Sequence, residues 1–378
     1  MSIFTGLFPI VHGVQNFKRN GTYVTLDNRI HTLAEILRKE GYITIGLHNG
    51  GNVSETLGFD KGFILYTTFF WRHKRKQKEL SSIIKLIKYT QKPMFLFLHT
   101  YICHSPYVKA PKAIRDKFLE KPVPGLPVCL NDIGGSLRNF RSANNKFWKN
   151  IHLRNPLHRK HVISLYDAGI YYADQAVGQV IKILKDNQMY NNSFIIILSD
   201  HGEEFYEHGG KGHNKLFIEC LHVPLIIKFP YNKYAGMKIR TPVRTIDLMA
   251  TLFDILNIRT NTSQQGISFF PLLKKNKGYS PIFKSYARKS IGLYKDHYFY
   301  SNQEINRCKE WLFDMDVDPK QTHNLTSKKP LLLEEMRKYA SKIMQNDIET
   351  KKEIYQETLH RIRDKHLLQQ LKALGYIN

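Results

Sequence analysis

Three short runs constrain the fold most. MFLFLH (Met94–His99), SFIIIL (Ser193–Leu198) and VPLIIKF (Val223–Phe229) are apolar almost throughout. They lack the polar alternation of a strand with one wet face, so both faces need cover, as in the buried strands of a parallel sheet. Segments at helical spacing lie between such runs. RIHTLAEILRKEGY (Arg29–Tyr42) carries a C-cap signature at Gly41 and leads into a strand-like ITIGLH. A helix is expected near Leu80–Tyr89. HVISLYDAGIYYADQAVGQVIKILKD has apolar residues at 162, 165, 166, 169, 170, 173, 176, 177, 180 and 184, the stripe of a long amphipathic helix. RTIDLMATLFDIL is helical again. Alternating strand and helix predict an α/β sandwich with a largely parallel central sheet.

Two regions break this pattern. Residues 107–158 are polar and rich in Pro, Asn and Lys, and read as a surface excursion or cap. After about residue 280 the aromatic, alternating PIFKSYARKSIGLYKDHYFYS and EWLFDM predict a small antiparallel sheet. A helix over Leu331–Met344 should close it, before a tail ending LKALGYIN. The expected division is an α/β domain over 1–278 and a small C-terminal unit over 279–378.

The formal net charge is +25. Such a charge fits attraction to polyanions, but the lysines are spread along the chain. The one dense run, WRHKRKQK (Trp71–Lys78), leads into a helix and reads as its solvated start. No zinc-finger, RRM-type or KH-type pattern accompanies it, so no specific nucleic-acid partner is expected. No apolar run reaches the roughly 20 residues of a membrane-spanning helix. MSIFTGLFPIVHGV has neither a basic start nor a small-residue cleavage site and does not read as a signal peptide, which leaves cytoplasmic and exported locations open. The four cysteines are widely spaced and form no CxxC, so neither a zinc site nor a disulfide framework is expected.

The chemistry concentrates in SDHGEEFYEHGGKGH (Ser199–His213). Ligands of open α/β sheets gather at the carboxyl ends of strands, and Asp200 and His201 begin one residue beyond SFIIIL. A carboxylate beside an imidazole makes an ordinary pair of metal ligands. His208 and His213 flank a glycine-rich turn that lets imidazoles approach an anion. Of Glu203, Glu204 and Glu207, most are expected to be solvated or to bond loop amides.

LSDHGEEFYEHGG followed by ECLHVPLIIKFP resembles a signature region of the sulfatases, in the alkaline phosphatase superfamily. FTGLFPIVHGV, TLAEILRKEGYIT, MFLFLHTYICHSPY, LYDAGIYYADQAVGQVIKIL, VRTIDLMATLFDIL, WLFDMDVDPKQTHNL and LKALGYI resemble further segments of that family in the same order, and only 107–158 is unmatched. The resemblance implies an alkaline-phosphatase-like sandwich. It implies Asp200 and His201 as ligands of a divalent cation, most often calcium, with manganese or zinc as options. It also implies His104 and His213 as catalytic groups at the ester and His208 as a substrate contact. The substrate it implies is a sulfate ester or phosphate ester, a sulfated or other anionic glycan among them. Cys103 stands where proline is common and reads as a small buried residue. The Lys-x-His pair common after the GYxT strand is not visible in GLHNGGN, where His48 or Asn49 could substitute only loosely.

The family's nucleophile motif and the paired aspartates of its first strand have no counterpart in this sequence; by the resemblance they fall upstream of Met1. Two ligands do not fill the six or more positions of a calcium ion, and no activated nucleophile is encoded. Three readings remain: a sulfatase whose full chain begins upstream, inactive as given; a non-catalytic sulfatase-like interaction protein; or a relative acting on phosphodiesters or phosphonates, or transferring phospho groups.

Overall fold

The computed structural model describes residues 1–14, 22–69, 74–135, 140–274, 278–287, 289–305, 309–354 and 359–361. Residues 71–73 of the basic run, Cys308 and the LKALGYIN tail lie outside the described residues.

The centre is a parallel sheet of three strands in the order Leu65–Thr68, Ile43–His48, Met94–Leu98. Alternate side chains of these strands serve two layers. Ile45, Leu47, Met94, Leu96 and Leu98 face a core that includes Leu80, Ile84 and Ile87 of helix Lys74–Thr90 and Ala176 and Leu184 of helix Pro156–Asp186. Phe95 and Phe97 face the opposite core, with Phe4, Phe63, Leu33, Leu37, Met249 and Phe253. The Phe4 and Phe97 rings meet edge to face at 4.8 Å. Helix Leu33–Lys39 starts on a capping box: Thr32 Oγ1 accepts from Glu35 N, and the Glu35 carboxylate accepts from Thr32 N. The long helix begins earlier than its apolar stripe, because Asn155 caps Leu157 N and Pro156 occupies the first turn.

The last two of the three apolar runs depart from the expected parallel order. Ile195–Leu198 pairs antiparallel with Leu225–Lys228. The residues between hold a two-residue hairpin and the one-turn helix Ile218–Leu221, which return the chain at the end where it left. A parallel return needs a crossover across the sheet, and this connection does not make one.

The 107–158 region is more ordered than its composition implies. Helices Lys112–Phe118 and Phe140–Trp148 fold over the long helix. Tyr107, Val108, Leu126, Ile133, Phe147 and Leu153 form a core with Val162, Leu165 and Phe205. Its apolar residues are sparse in sequence but converge in space.

As expected, the C-terminal part holds an antiparallel sheet, ordered Trp311–Asp314, Tyr298–Ser301, Ser290–Lys295, Phe283–Ala287. Its helix runs Pro330–Ile354, longer than expected, and buries Met336, Ala340 and Ile343. That helix also carries Asp347, buried against the rest of the protein. Its carboxylate accepts from Lys284 Nζ at 2.6 Å, from Tyr286 Oη, and from Gln265 Nε2 at 2.7 Å, while Gln265 Oε1 accepts from Phe8 N. Strand Thr22–Val24 pairs with Leu359–Arg361. Both links tie the C-terminal part to the N-terminal segment. No described helix is long and apolar enough to cross a membrane.

Asp347→Ala would leave the Lys284 ammonium, 8% exposed, without its partner. Chemical denaturation should show a loss of about 3–5 kcal/mol. Asp116→Ala, which breaks the exposed Lys112–Asp116 pair, should cost less than about 1 kcal/mol.

Candidate active site

Two strand ends build the site. Beyond Met94–Leu98 the chain passes His99 and turns so that His104 N donates to Tyr101 O. Beyond Ile195–Leu198, Ser199 Oγ donates to His201 O, which holds the Asp200–His201 turn. Gly202 N then donates to Cys220 O and Glu203 N to Glu219 O. A Cβ on Gly202 would lie 2.0 Å from Glu219 O, so only glycine lets the two backbones meet there. The antiparallel pair Glu204–Phe205 with Lys211–Gly212 brings His213 back over His201. The two imidazoles stack with centroids 3.8 Å apart, and His104 lies 5.5 Å from His213. The structure thus assembles four of the five residues singled out in the sequence: His104, Asp200, His201 and His213 all line one large cleft.

Three imidazoles share one arrangement. His104 Nδ1–H donates to Ser105 O at 2.7 Å, and His201 Nδ1–H donates to Gly202 O at 2.8 Å. His213 Nδ1 faces Glu203 Oε1 at 3.4 Å. In the neutral form each ring then keeps its lone pair on Nε2. For His201 that atom lies 3.7 Å from Asp200 Oδ2. Two acceptors facing each other at this distance repel unless a proton on the ring or a metal cation sits between them. A ligating histidine typically ties its other ring N–H to a carbonyl, as His201 does. Asp200 and His201 therefore fit a divalent cation as a pair. Among the described residues, no group of three or more such side chains is preassembled around one point.

Burial, and then the Lys109 ammonium, push the His104 pKa down to about 3. Lys109 Nζ donates to the carbonyls of His104 and Pro106, and burial lowers its own pKa to about 7. Burial opposes the Asp200 charge, but His201 and His99 outweigh it and hold the carboxyl below its usual range.

His208 does not line the cleft. Its Nδ1–H donates to Glu219 Oε1 at 2.7 Å, its Nε2–H donates to Gln321 O at 2.9 Å, and its ring stacks on Phe217 at 3.8 Å. Both nitrogens are committed, which leaves none for a substrate and removes the support for it as a substrate contact. His48 and Asn49 are likewise structural: His48 Nδ1 accepts from Gly50 N, and Asn49 Oδ1 accepts from Tyr101 N. Glu203 and Glu204 are buried rather than solvated. Glu204 does bond loop amides, accepting from Gly210 N and His208 N, and it pairs with Lys215.

Sequence reasoning missed Lys109, the contact of Glu203 with His213 and the 107–158 contribution to the cleft. It also missed the Ser2–His12 pair, Oγ to Nε2 at 3.0 Å. That pair resembles a nucleophile and its base, but His12 Nδ1 accepts from Val14 N. The neutral ring then carries its proton on Nε2 and donates to Ser2, so it cannot activate the hydroxyl.

The two outer histidines should titrate in opposite senses. The His104 ring should stay neutral from pH 8 down to about 4 in ring-resolved NMR, because burial and Lys109 oppose its charge. Burial also opposes the His208 charge, but the hydrogen bonds to Glu219 and Gln321 O overcome it and raise the pKa. The stability from this pair is fully present below the unfolded pKa of roughly 6.5 and is lost as pH rises through the higher folded value. Glu219→Gln should lower the His208 pKa and flatten that pH dependence.

The Sulfatase family profile matches residues 1–258, and the profile described as N-sulphoglucosamine sulphohydrolase, C-terminal, matches 206–353. Arylsulfatase K of Xenopus laevis is 23% identical over 403 aligned positions, covering 89% of this chain and 71% of that protein. The N-acetylglucosamine-6-O-sulfatase of Bacteroides thetaiotaomicron is 27% identical over 177 positions, 43% of this chain and 32% of that one. Against several curated relatives the match thus spans about a third of their length. Among solved structures, BT4656 in complex with its substrate D-glucosamine-2-N,6-O-disulfate superposes with a TM-score of 0.66 at 15% identity, over 93% of this chain and 87% of that one. The phosphonate monoester hydrolase of Agrobacterium radiobacter gives 0.67 at 16%, over 94% and 85%. The α/β fold is the one these proteins share, and with the Sulfatase profile matching more than half of its length the chain belongs to the sulfatase family.

Proposed function

We propose that this chain is the larger part of a sulfate-ester hydrolase, with Asp200 and His201 holding a divalent cation and His104 and His213 flanking the ester. The observation that carries the reading is the convergence of these four side chains, with the His201 lone pair turned toward the Asp200 carboxylate. Calcium is the ion we assign. An imidazole among the donors also suits manganese or zinc, and binding to each separates them. The cation supplies positive charge for the sulfate oxygens.

The protein groups act around it. His213, stacked on His201 and anchored to Glu203, faces the cleft beside the cation pair. His104 is neutral in the free protein. An anionic ester beside it offsets the Lys109 charge and raises its pKa, so that Nε2 can take a proton and pass it to the leaving oxygen.

We further propose that the nucleophile and the remaining ligands come from polypeptide upstream of Met1. One feature supports this. The strands Met94–Leu98 and Ile195–Leu198 are half-exposed along their whole length despite wholly apolar sequences, and each offers an unpaired edge among the described residues. Apolar strand edges of this kind need a pairing strand.

The 378-residue chain should give no turnover of an aryl sulfate, while a chain extended upstream should turn it over. In the extended enzyme His104→Ala should lower kcat about 100- to 1,000-fold with little change in thermal stability. Turnover by the 378-residue chain that Asp200→Ala abolishes would contradict the upstream nucleophile. A normal kcat in His104→Ala would contradict the role of His104.

A further inference from the structure

Helix Phe140–Trp148, from the segment the family resemblance leaves unmatched, is fastened to the residue that follows His104. Ser105 Oγ donates to Asn144 Oδ1 at 2.7 Å and accepts from Trp148 Nε1 at 3.1 Å. The indole is half-buried, held edge to face by Phe147 at 5.0 Å and Tyr107 at 6.1 Å. Lys211 Nζ lies 4.0 Å from its ring centroid. Lys211 comes from the hairpin strand Lys211–Gly212, two residues before His213. Ser105, Asn144, Trp148 and Lys211 all line the cleft next to His104 and His213. A plate, an amide and an ammonium therefore stand against the catalytic pair, on elements that place no ligand on the cation.

We propose that Trp148 and Lys211 form a subsite for the organic part of the ester, fitted to a pyranose ring that carries a second anionic group beside the scissile sulfate. The chemistry of each side chain argues for it. The indole N–H is already satisfied by Ser105, so what the ring offers a ligand is its apolar face, which suits the C–H face of a sugar. The ammonium over that face is placed by cation–π attraction and has no carboxylate partner among the described ion pairs. Partial burial lowers the Lys211 pKa, and an anion from the ligand would relieve that cost. A sugar ring entering over Trp148 displaces the ammonium to the ring edge, where a sulfate or carboxylate can accept from it. A flat aryl group would use the plate without the ammonium. The Ser105 bonds link the subsite to His104, so filling it also orders the turn that carries the catalytic imidazole. This inference rests on the sulfate-ester reading and adds the class of substrate.

The test is equilibrium binding by the full chain, followed calorimetrically in the presence of calcium, with inorganic sulfate, a pyranose monosulfate and the matching disulfate. The wild type should bind the disulfate about tenfold more tightly than the monosulfate, the factor that roughly 1.4 kcal/mol supplies. Lys211→Gln should bring the two sugars within about twofold of each other, as expected on losing one charge-assisted contact. Trp148→Phe should keep part of the affinity for both sugars and Trp148→Ala lose most of it, with inorganic sulfate unchanged in both. Lys149→Gln, a change at an exposed lysine next to Trp148, controls for general charge and should leave the preference intact. A disulfate preference that survives in Lys211→Gln, or sugar affinities that survive in Trp148→Ala, would overturn the subsite and leave the sulfate-ester reading standing. A wild type that binds none of the three probes would overturn both.

Discussion

A strand that is apolar throughout and packs helices on both faces has nowhere to keep a polar group except beyond its last residue. The rest of the molecule follows from that constraint. Met94–Leu98 and Ile195–Leu198 contribute side chains to helical layers above and below; the first passes directly into His99 and the second, after Ser199, into Asp200. The two ends come close enough for His99 to bear on the Asp200 charge. The site is thus a by-product of burying the strands, and the loops that follow have only to orient imidazoles. They do so by one device: each Nδ1–H is tied to an oxygen, two to backbone carbonyls and one to a buried carboxylate, which fixes where the remaining lone pair points.

Much of this was legible in the sequence because it rests on local pattern. Apolar runs of strand length, a ten-position amphipathic stripe and Asp-His at a strand end each state their own structure. The antiparallel Leu225–Lys228 strand was not legible, since the run reads the same in either direction and only the hairpin and single helical turn before it decide. His208 was misread for a related reason. It shares its glycine-rich turn with His213, yet Glu219 and the Gln321 carbonyl claim it, and these lie 11 and 113 residues away. Lys109 escaped notice, and Glu203 was grouped with solvated or amide-bound acids, because their roles depend on burial.

The 107–158 segment illustrates the limit of composition. Lysine, asparagine and proline mark it as surface, and much of it is surface. Still, a few apolar residues give it a core on the long helix, and that core aims Asn144 and Trp148 at the cleft. The C-terminal helix is joined as firmly through Asp347 to Gln265, which in turn accepts from Phe8 N. The C-terminal flank of the cleft is therefore held by a buried polar link, which loses far more when one partner is removed than surface pairs do.

The central claim is that Asp200 and His201 share a cation. Anomalous diffraction from crystals of the 378-residue chain grown with manganese tests it directly. The account expects a peak within about 2.0–2.6 Å of both Asp200 Oδ2 and His201 Nε2, the range of metal–ligand bonds. A manganese peak elsewhere in the cleft, or none at this pair, would contradict it.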